Sequence, residues 1–262
     1  MTTTQEGLRM DMGLRDRTVL VTGGSKGIGL AVARAYSAEG ARVALTYRSD
    51  AEAAARAAAE LGAAEDRACH LRYALDEPGS PETVVDEVCA RWGRVDVLVA
   101  NALVRPRRRT PDERFEDLSP AEWEPLLTGN VAGTVRTAQL VLAPMRKRGW
   151  GRIVFVSSHV AVDGKPRQEI YGAAKMALHG LMRSMAWDAG RDGILVNVVS
   201  PGLTLTEGVR TVLPGEVRQE ERRMTPTGRL SRPEEIASAV TFLGSAANGN
   251  ISGQVLTVAG GR

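Results

Sequence analysis

Apolar, strand-like runs alternate with helix-period segments along the whole chain. They predict an α/β fold, a single-domain doubly wound parallel sheet of about seven strands with helices on both faces. Two further observations agree. The run Ile153-Val154-Phe155-Val156 is continuously apolar, as a parallel strand buried on both faces must be. A glycine-rich turn, Thr22-Gly23-Gly24-Ser25-Lys26-Gly27-Ile28-Gly29, also sits where a first strand would pass into a first helix.

In chain order, Thr18 to Val21 is the first strand, and the glycine turn opens a helix near Ile28 to Glu39. Arg42 to Tyr47 is the second strand and Ala51 to Leu61 an alanine-rich helix, which completes a βαβ unit. The alternation continues with a strand at Ala68 to Tyr73, a helix at Pro81 to Trp92 and a strand at Val95 to Ala100. One long helix is expected from Glu122 through Met145, then a strand at Arg152 to Ser157 and a helix over Tyr171 to Asp188. Ile194 to Val199, a helix at Pro233 to Leu243 and a last strand at Val255 to Val258 close the pattern. No linker, repeat or low-complexity tract divides it. The expectation is a flexible tail over 1–14 and a catalytic domain over 15–262.

Each glycine of the turn has a physical task. Gly23 lets the chain turn tightly off the strand, Gly27 lets backbone approach a pyrophosphate, and Gly29 permits close helix–strand packing, with the helix N-terminus left facing the phosphates. Downstream, Tyr171 and Lys175 are four residues apart, so on a helix they share one face and the ammonium can stabilise the phenolate. A free tyrosine, with a pKa of about 10, is a poor acid–base group at neutral pH, and a neighbouring cation shifts it towards use. Ser158 follows the strand ending near Ser157, so its hydroxyl emerges at the carboxyl edge of the sheet, where open α/β sheets bind ligands. A carbonyl oxygen can rest between Ser158 and Tyr171.

Composition excludes other classes. A net charge of +3 from 34 basic and 31 acidic residues, with no long basic tract interleaved with aromatics, argues against nucleic acid. Cys69 and Cys89 make no metal-ligand pattern, so no metal is expected, and so few thiols fit a reducing cytoplasm. No stretch approaches the roughly 18 apolar residues of a membrane span, and Glu6, Arg9 and Asp11 stand where a signal peptide would be apolar. His159 follows Ser158, but neighbours on an extended segment point to opposite faces and no Gly-x-Ser-x-Gly elbow surrounds the serine, which argues against a hydrolase. His70 and His179 read as structural or exposed.

Taken with Asn101-Ala102, Asn130-Val131-Ala132-Gly133 and Pro201-Gly202 with Thr206, these motifs give a chain that resembles the short-chain dehydrogenases/reductases, near their 3-oxoacyl-carrier-protein reductase branch, from Thr22 to Gly261. The resemblance implies a Rossmann-type sheet. It makes Tyr171 the general acid/base, Ser158 the group that orients the substrate carbonyl, Lys175 both modulator of the tyrosine and holder of the nicotinamide ribose, and Asn130 the anchor of a proton-relay water. Cofactor contacts are implied for Gly23, Ser25, Lys26, Gly27, Ile28, Gly29, Asn101, Ala102, Tyr171, Lys175, Pro201, Gly202, Thr204 and Thr206. A homotetramer is implied, and a small carbonyl compound or a carrier-protein or coenzyme A thioester is the implied substrate.

Three positions depart from the family pattern: Leu103 replaces a glycine beside the cofactor, Ala74 replaces an adenine-contacting aspartate with Asp76 two residues on, and Val258-Ala259-Gly260-Gly261 replaces Asp-Gly-Gly. Leu103 and Ala74 keep open a catalytically silent cofactor-binding protein. Enoyl reduction, which uses six residues between tyrosine and lysine, would need a tyrosine at Gln168. The second strand ends in Tyr47-Arg48-Ser49 with no carboxylate before Asp50, so Arg48, Lys26 and Ser49 are expected to hold a 2′-phosphate and select NADP(H). Asp50 on the ribose is the alternative. The segment 204–224 mixes apolar and charged residues and is expected to act as a substrate lid. The run Arg105-Pro106-Arg107-Arg108-Arg109 is either a docking point for a phosphopantetheine phosphate or acidic carrier, or a solvated loop. Ala174, Leu178, Leu181, Met182 and Met185, with the apolar helix after Asn130, are expected to supply subunit contacts.

Overall fold

A computed structural model describes residues 10–262. Seven strands form one all-parallel sheet: β1 (Thr18–Val21), β2 (Arg42–Tyr47), β3 (Ala68–Arg72), β4 (Val97–Ala100), β5 (Gly151–Val156), β6 (Ile194–Pro201) and β7 (Val255–Val258). Their spatial order is β3-β2-β1-β4-β5-β6-β7. The order reverses direction between β1 and β4, and a crevice opens at the carboxyl ends of strands flanking such a reversal. The register Leu20 to Leu98 fixes that pair and Phe155 to Val198 the β5–β6 pair.

Period-2 alternation divides the core in two. Val19 and Val21 of β1 pack with Val32 and Tyr36 of α1 (Gly27–Ala38) and Ile236 and Val240 of α10 (Pro233–Leu243) on one face. Leu20 points to the other face, against Val84 and Val88 of α3 (Ser80–Trp92), Val141 of α5 (Thr134–Arg148) and Met182 of α7 (Glu169–Ala189). Truncating a fully buried leucine such as Leu20 to alanine costs roughly 2–5 kcal/mol.

The helix expected over Glu122 to Met145 is present as one continuous helical path that carries a π bulge. α4 (Pro120–Thr128) and α5 are joined by a π turn, Gly129–Gly133. Glycine is required at position 133, where a Cβ would lie 2.5 Å from the Leu75 carbonyl, so the chain passes too close to its neighbour for a side chain. The remaining elements are α2 (Ala51–Glu60), a one-turn α6 (Val160–Asp163), and α8 (Glu207–Val212) with α9 (Gly215–Arg223) in the segment read as a lid. Of the tail expected at 1–14, positions 1–9 lie outside the described residues, whereas Leu14 is buried and the Met12 carbonyl accepts a bond from Ala246 N.

Candidate active site

The glycine turn lies at the β1–β4 crevice and is held from both sides. Gly23 N donates to Thr46 Oγ1 of β2 (2.9 Å), and Asn101 Nδ2, just past β4, donates to the carbonyls of Thr22 and Gly23 (both 3.0 Å). Thr22 Oγ1 in turn accepts from the backbone N–H groups of Asn101 and Ala102. Gly23 and Gly27 have φ of +65° and +57°, and a Cβ on Gly29 would stand 2.2 Å from the Gly23 oxygen. Ser25 is buried, Ile28 half-buried, and Lys26 exposed at the N-cap of α1 without capping the helix through its side chain. The free first-turn N–H groups of α1 and the side-chain-free turn fit a pyrophosphate.

At the end of β2, Arg48 Nη2 bonds Asp76 Oδ2 at 2.7 Å, so the arginine expected to be free shares its charge with the carboxylate beyond Ala74. Ala74 itself is buried, its N–H held by Ser80 Oγ. Asp50 is engaged elsewhere: its carboxylate caps α2, accepting from Ala53 N at 3.0 Å. Ser49 is exposed beside Arg48.

The helix α7 presents Tyr171, Lys175 and His179 on one stripe beside the end of β5. Lys175 Nζ donates to the Val156 carbonyl (2.8 Å), Ser157 Oγ donates to the Lys175 carbonyl (3.1 Å), and Ser157 Oγ also meets His179 Nε2 at 2.8 Å. The Ser157–His179 pair is thus a brace that fixes α7 against β5, and sequence reasoning missed it although the fourfold spacing 171, 175, 179 was the available signal. Burial pulls the Lys175 ammonium down to about 8. Burial also raises the Tyr171 phenol, opposed by a hydrogen bond with Ser158 and the charge of Arg105. The lowering by Lys175 expected from spacing is therefore not what acts on Tyr171 here: burial raises the phenol, and Ser158 and Arg105 are the groups that oppose it.

Asn130 stands in the π turn with its amide fully engaged: Oδ1 accepts from Val104 N, and Nδ2 donates to the carbonyls of Val104 and Leu126 (2.8 Å each). The side chain pins the loop that carries Leu103, rather than facing Tyr171 with a free donor. His159 begins α6 with helical backbone angles, not the extended ones expected, and its Nδ1 lies 3.2 Å from the Pro201 carbonyl, turned to structure and not to Ser158.

Pro201 ends β6 and Gly202 packs so near Ala259 that a Cβ would lie 2.8 Å from that side chain. Thr204 Oγ1 donates to the Gly202 carbonyl, and Thr206 Oγ1 caps α8 by accepting from Val209 N. Thr206 also lies against the turn, its Cγ2 3.2 Å from where a Gly27 Cβ would be. The root of the lid segment therefore touches the glycine turn.

Beside Tyr171 runs a cleft of about 390 Å³, with Arg109, Trp123, Leu126, Gln168 and Ile170 among its walls. Of the arginine run, Arg105, Arg107 and Arg108 are exposed and Arg109 alone turns its side chain inward. Arg107 bonds Glu113 and Glu122, Arg108 bonds the Val212 carbonyl, and Arg109, its side chain 4% exposed, bonds Glu169 and leaves Nη1 buried without an acceptor. A second feature unforeseen from sequence is Glu221 of α9, buried and held by Lys165 Nζ (2.6 Å) and by Arg262. Burial pushes its carboxyl up, but the two cations bring it below its ordinary value.

A family profile described as Enoyl-(Acyl carrier protein) reductase matches residues 23–262. The chain belongs to the short-chain dehydrogenase/reductase family. Within that family of oxidoreductases it is 36% identical over 264 residues to a D-threitol dehydrogenase of Mycolicibacterium smegmatis, spanning 100% of this chain and 98% of the relative. It is 35% identical over 250 residues to the 3-oxoacyl-acyl-carrier-protein reductase FabG of Escherichia coli, spanning 95% and 98%. A solved 7α-hydroxysteroid dehydrogenase, complexed with NADH and 7-oxo glycochenodeoxycholic acid, superposes with a TM-score of 0.88 at 31% identity, over 97% of this chain and 98% of that one. Short-chain dehydrogenase/reductase relatives of one architecture thus carry the names of polyol, acyl and steroid enzymes. Among the described residues no helix is long and apolar enough to cross a membrane, and no cluster of metal-ligating side chains forms.

Proposed function

We propose that the chain is an NADPH-dependent reductase that turns a ketone or 3-oxoacyl group into a secondary alcohol. One observation carries the reading: Ser158, Tyr171 and Lys175 converge at the carboxyl edge of the sheet, with only β4 between β5 and the strand that leads into the glycine turn, whose shape suits a pyrophosphate. When bound, the nicotinamide supplies the hydride. Ser158 orients the substrate oxygen by hydrogen bonding, and Tyr171 holds a proton at Oη and delivers it to that oxygen. Burial keeps the phenol protonated at neutral pH, the form required of an acid. Lys175, fixed by Val156, has further N–H donors for a ribose hydroxyl. Asn130 acts as a positioning residue for the loop after β4. Residues 15–262 act as one catalytic domain whose segment 204–224 closes over substrate.

Engagement of Asp50 in helix capping supports NADP(H) over NAD(H), because the first carboxylate after β2 is not available to the ribose. Arg48 keeps donors beyond the one bonded to Asp76, and with Ser49 and Lys26 it can meet a 2′-phosphate. The profile's enoyl description does not displace carbonyl reduction, since Gln168, where an enoyl-type tyrosine would stand, bears no phenol. A silent cofactor-binding protein has less support, because the Ser157–His179 brace and Lys175 hold the stripe in place.

The same reading makes the protein a homo-oligomer in a reducing cytoplasm, with Cys69 and Cys89 unpaired. Ala174, Leu178, Met182 and Met185 pack inward in the structure, so the oligomer argument moves to Met176 (42% exposed) and Trp187 (90% exposed) on α7 and Leu256 on edge strand β7. Following NADPH oxidation against ketones and 3-oxoacyl thioesters tests the activity. No turnover of any carbonyl with either cofactor would overturn it. Light scattering that returns a monomer at micromolar concentration would overturn the oligomer.

A further inference from the structure

Throughout most of the chain the arginines meet carboxylates: Arg34 with Glu60, Arg72 with Glu77, Arg136 with Glu82 and Arg146 with Asp188 and Asp192 are examples. One cleft breaks that rule. Arg210 of α8, Arg218 and Arg222 of α9, and Arg229 and Arg232 before α10 line it together with Gln219, and no carboxylate is among its walls. The arrangement follows from the helix period, because Gly215, Arg218, Gln219 and Arg222 form one stripe of α9 while Glu221 faces away to Lys165 and Arg262. Among the described residues, Arg229 alone of the five has a carboxylate partner, Glu235, which also lies in the field of Arg232. Arg218 bonds the carbonyls of Arg210 and Leu213, and that fixes its fork at the lid end of the cleft.

Five guanidinium groups gathered from three segments, against the one carboxylate of Glu235 behind Arg229, create a positive concavity, which concentrates anions and offers the paired donors that phosphate oxygens take. We propose that this cleft binds a polyphosphorylated substrate handle, of the kind the 3′-phospho-ADP end of a coenzyme A thioester carries. Resting on the acyl-thioester form of the function proposed above, the inference adds a site separate from the glycine turn and from the cleft beside Tyr171. It also gives the lid a reason to close: phosphates bridging Arg210, Arg218 and Arg222 to Arg229 and Arg232 draw α8 and α9 towards the segment before α10. A small thioester lacking the nucleotide has no such hold.

The test compares acetoacetyl-coenzyme A with acetoacetyl-N-acetylcysteamine, which presents the same carbonyl without phosphates, and measures coenzyme A binding by calorimetry without turnover. The wild-type KM should be at least tenfold lower for the coenzyme A thioester, and the advantage should shrink as salt is raised. Arg232→Glu, outside the lid, should raise that KM about tenfold, weaken coenzyme A binding equally, and leave kcat/KM for the N-acetylcysteamine thioester within twofold. Arg222→Glu should weaken coenzyme A binding in the same way, with thermal melting to confirm folding of both variants. Equal KM values for the two thioesters, or coenzyme A binding unchanged in both variants, would overturn the site. Binding of inorganic pyrophosphate but not of coenzyme A would overturn the handle. Failure of both thioesters to turn over while coenzyme A still binds in an arginine-dependent way would count against the proposed activity and leave the cleft standing.

Discussion

Two regions flank the stripe of Tyr171, Lys175 and His179 and are built differently. Around Gly23 to Gly29 the chain is fixed by backbone approaches too close for a Cβ, and by Asn101 and Thr22, whose bonds tie β1 to β4. Around 105–109 and 204–232 the chain is fixed by long charged side chains: Arg107 to Glu113 and Glu122, Lys165 and Arg262 to Glu221. Backbone contact fixes a shape that a common cofactor can share. Charged side chains can be exchanged without disturbing the sheet, and exposed ion pairs contribute little stability, with typical values of about 0–1 kcal/mol. The contrast separates a part of the crevice whose shape is set by backbone contact from a part held by side chains that substitution can exchange.

The sharpest way to break the comparison is at the stripe both regions serve. Tyr171→Phe should cut turnover by at least about a hundredfold while cofactor binding, followed by fluorescence titration, stays within a few-fold. Retained turnover would remove Tyr171 as the acid. Next in size, Gly29→Ala forces a methyl to 2.2 Å from the Gly23 oxygen and should cost about 1–3 kcal/mol in urea unfolding, together with a large loss of cofactor affinity. If the variant binds cofactor normally, close backbone contact does not set the shape of the turn.

Arg48→Asp should lower kcat/KM for NADPH by about tenfold or more relative to NADH, since a charge-assisted contact is worth about 1.5–3 kcal/mol. Equal wild-type efficiency with the two cofactors would refute the choice. On the substrate side, Glu221→Gln keeps the shape but removes the charge between two cations. It should raise KM a few-fold and leave kcat nearly unchanged, whereas a purely structural Glu221 would show as a lower melting temperature with unaltered KM.

The smallest expected effect is a pH dependence. Lys175 titrates at about 8 when folded, below its ordinary 10.5, so between those values the unfolded chain binds more protons and stability rises with pH. Below pH 8 the full penalty of the buried ammonium is present. Lys175→Met should flatten the rise between pH 8 and 10.5 in urea titrations of cofactor-free protein, and an unchanged slope would show that another group is responsible.

What could be read from sequence divides along the same boundary. The apolar runs at Val19 to Val21 and Ile153 to Val156, the glycine turn and the 171–175 spacing are local patterns, and each marks its element to within a residue or two. The Ser157–His179 brace, the Arg48–Asp76 pair and the Lys165–Glu221–Arg262 cluster join side chains 22 to 56 positions apart in the chain. Apart from the fourfold spacing that puts His179 on the stripe of Tyr171 and Lys175, no spacing rule signals them. The π bulge at 129–133 lies between these cases: Gly129 and Gly133 were visible, but the approach of the Leu75 carbonyl that demands Gly133 is tertiary.

That π turn has a consequence for insertions and deletions. A π turn accommodates one residue more than an α-helical path, and each helical residue rotates the chain beyond it by about 100°. Excising one residue there would let α4 and α5 fuse into a regular helix, but it would also swing Asn130 off Val104 and release the loop bearing Leu103 and Arg105. At this point chain length sets where the Asn130 amide meets Val104, so a one-residue indel at 129–133 would displace the loop after β4 while Ser158, Tyr171 and Lys175 remained in place.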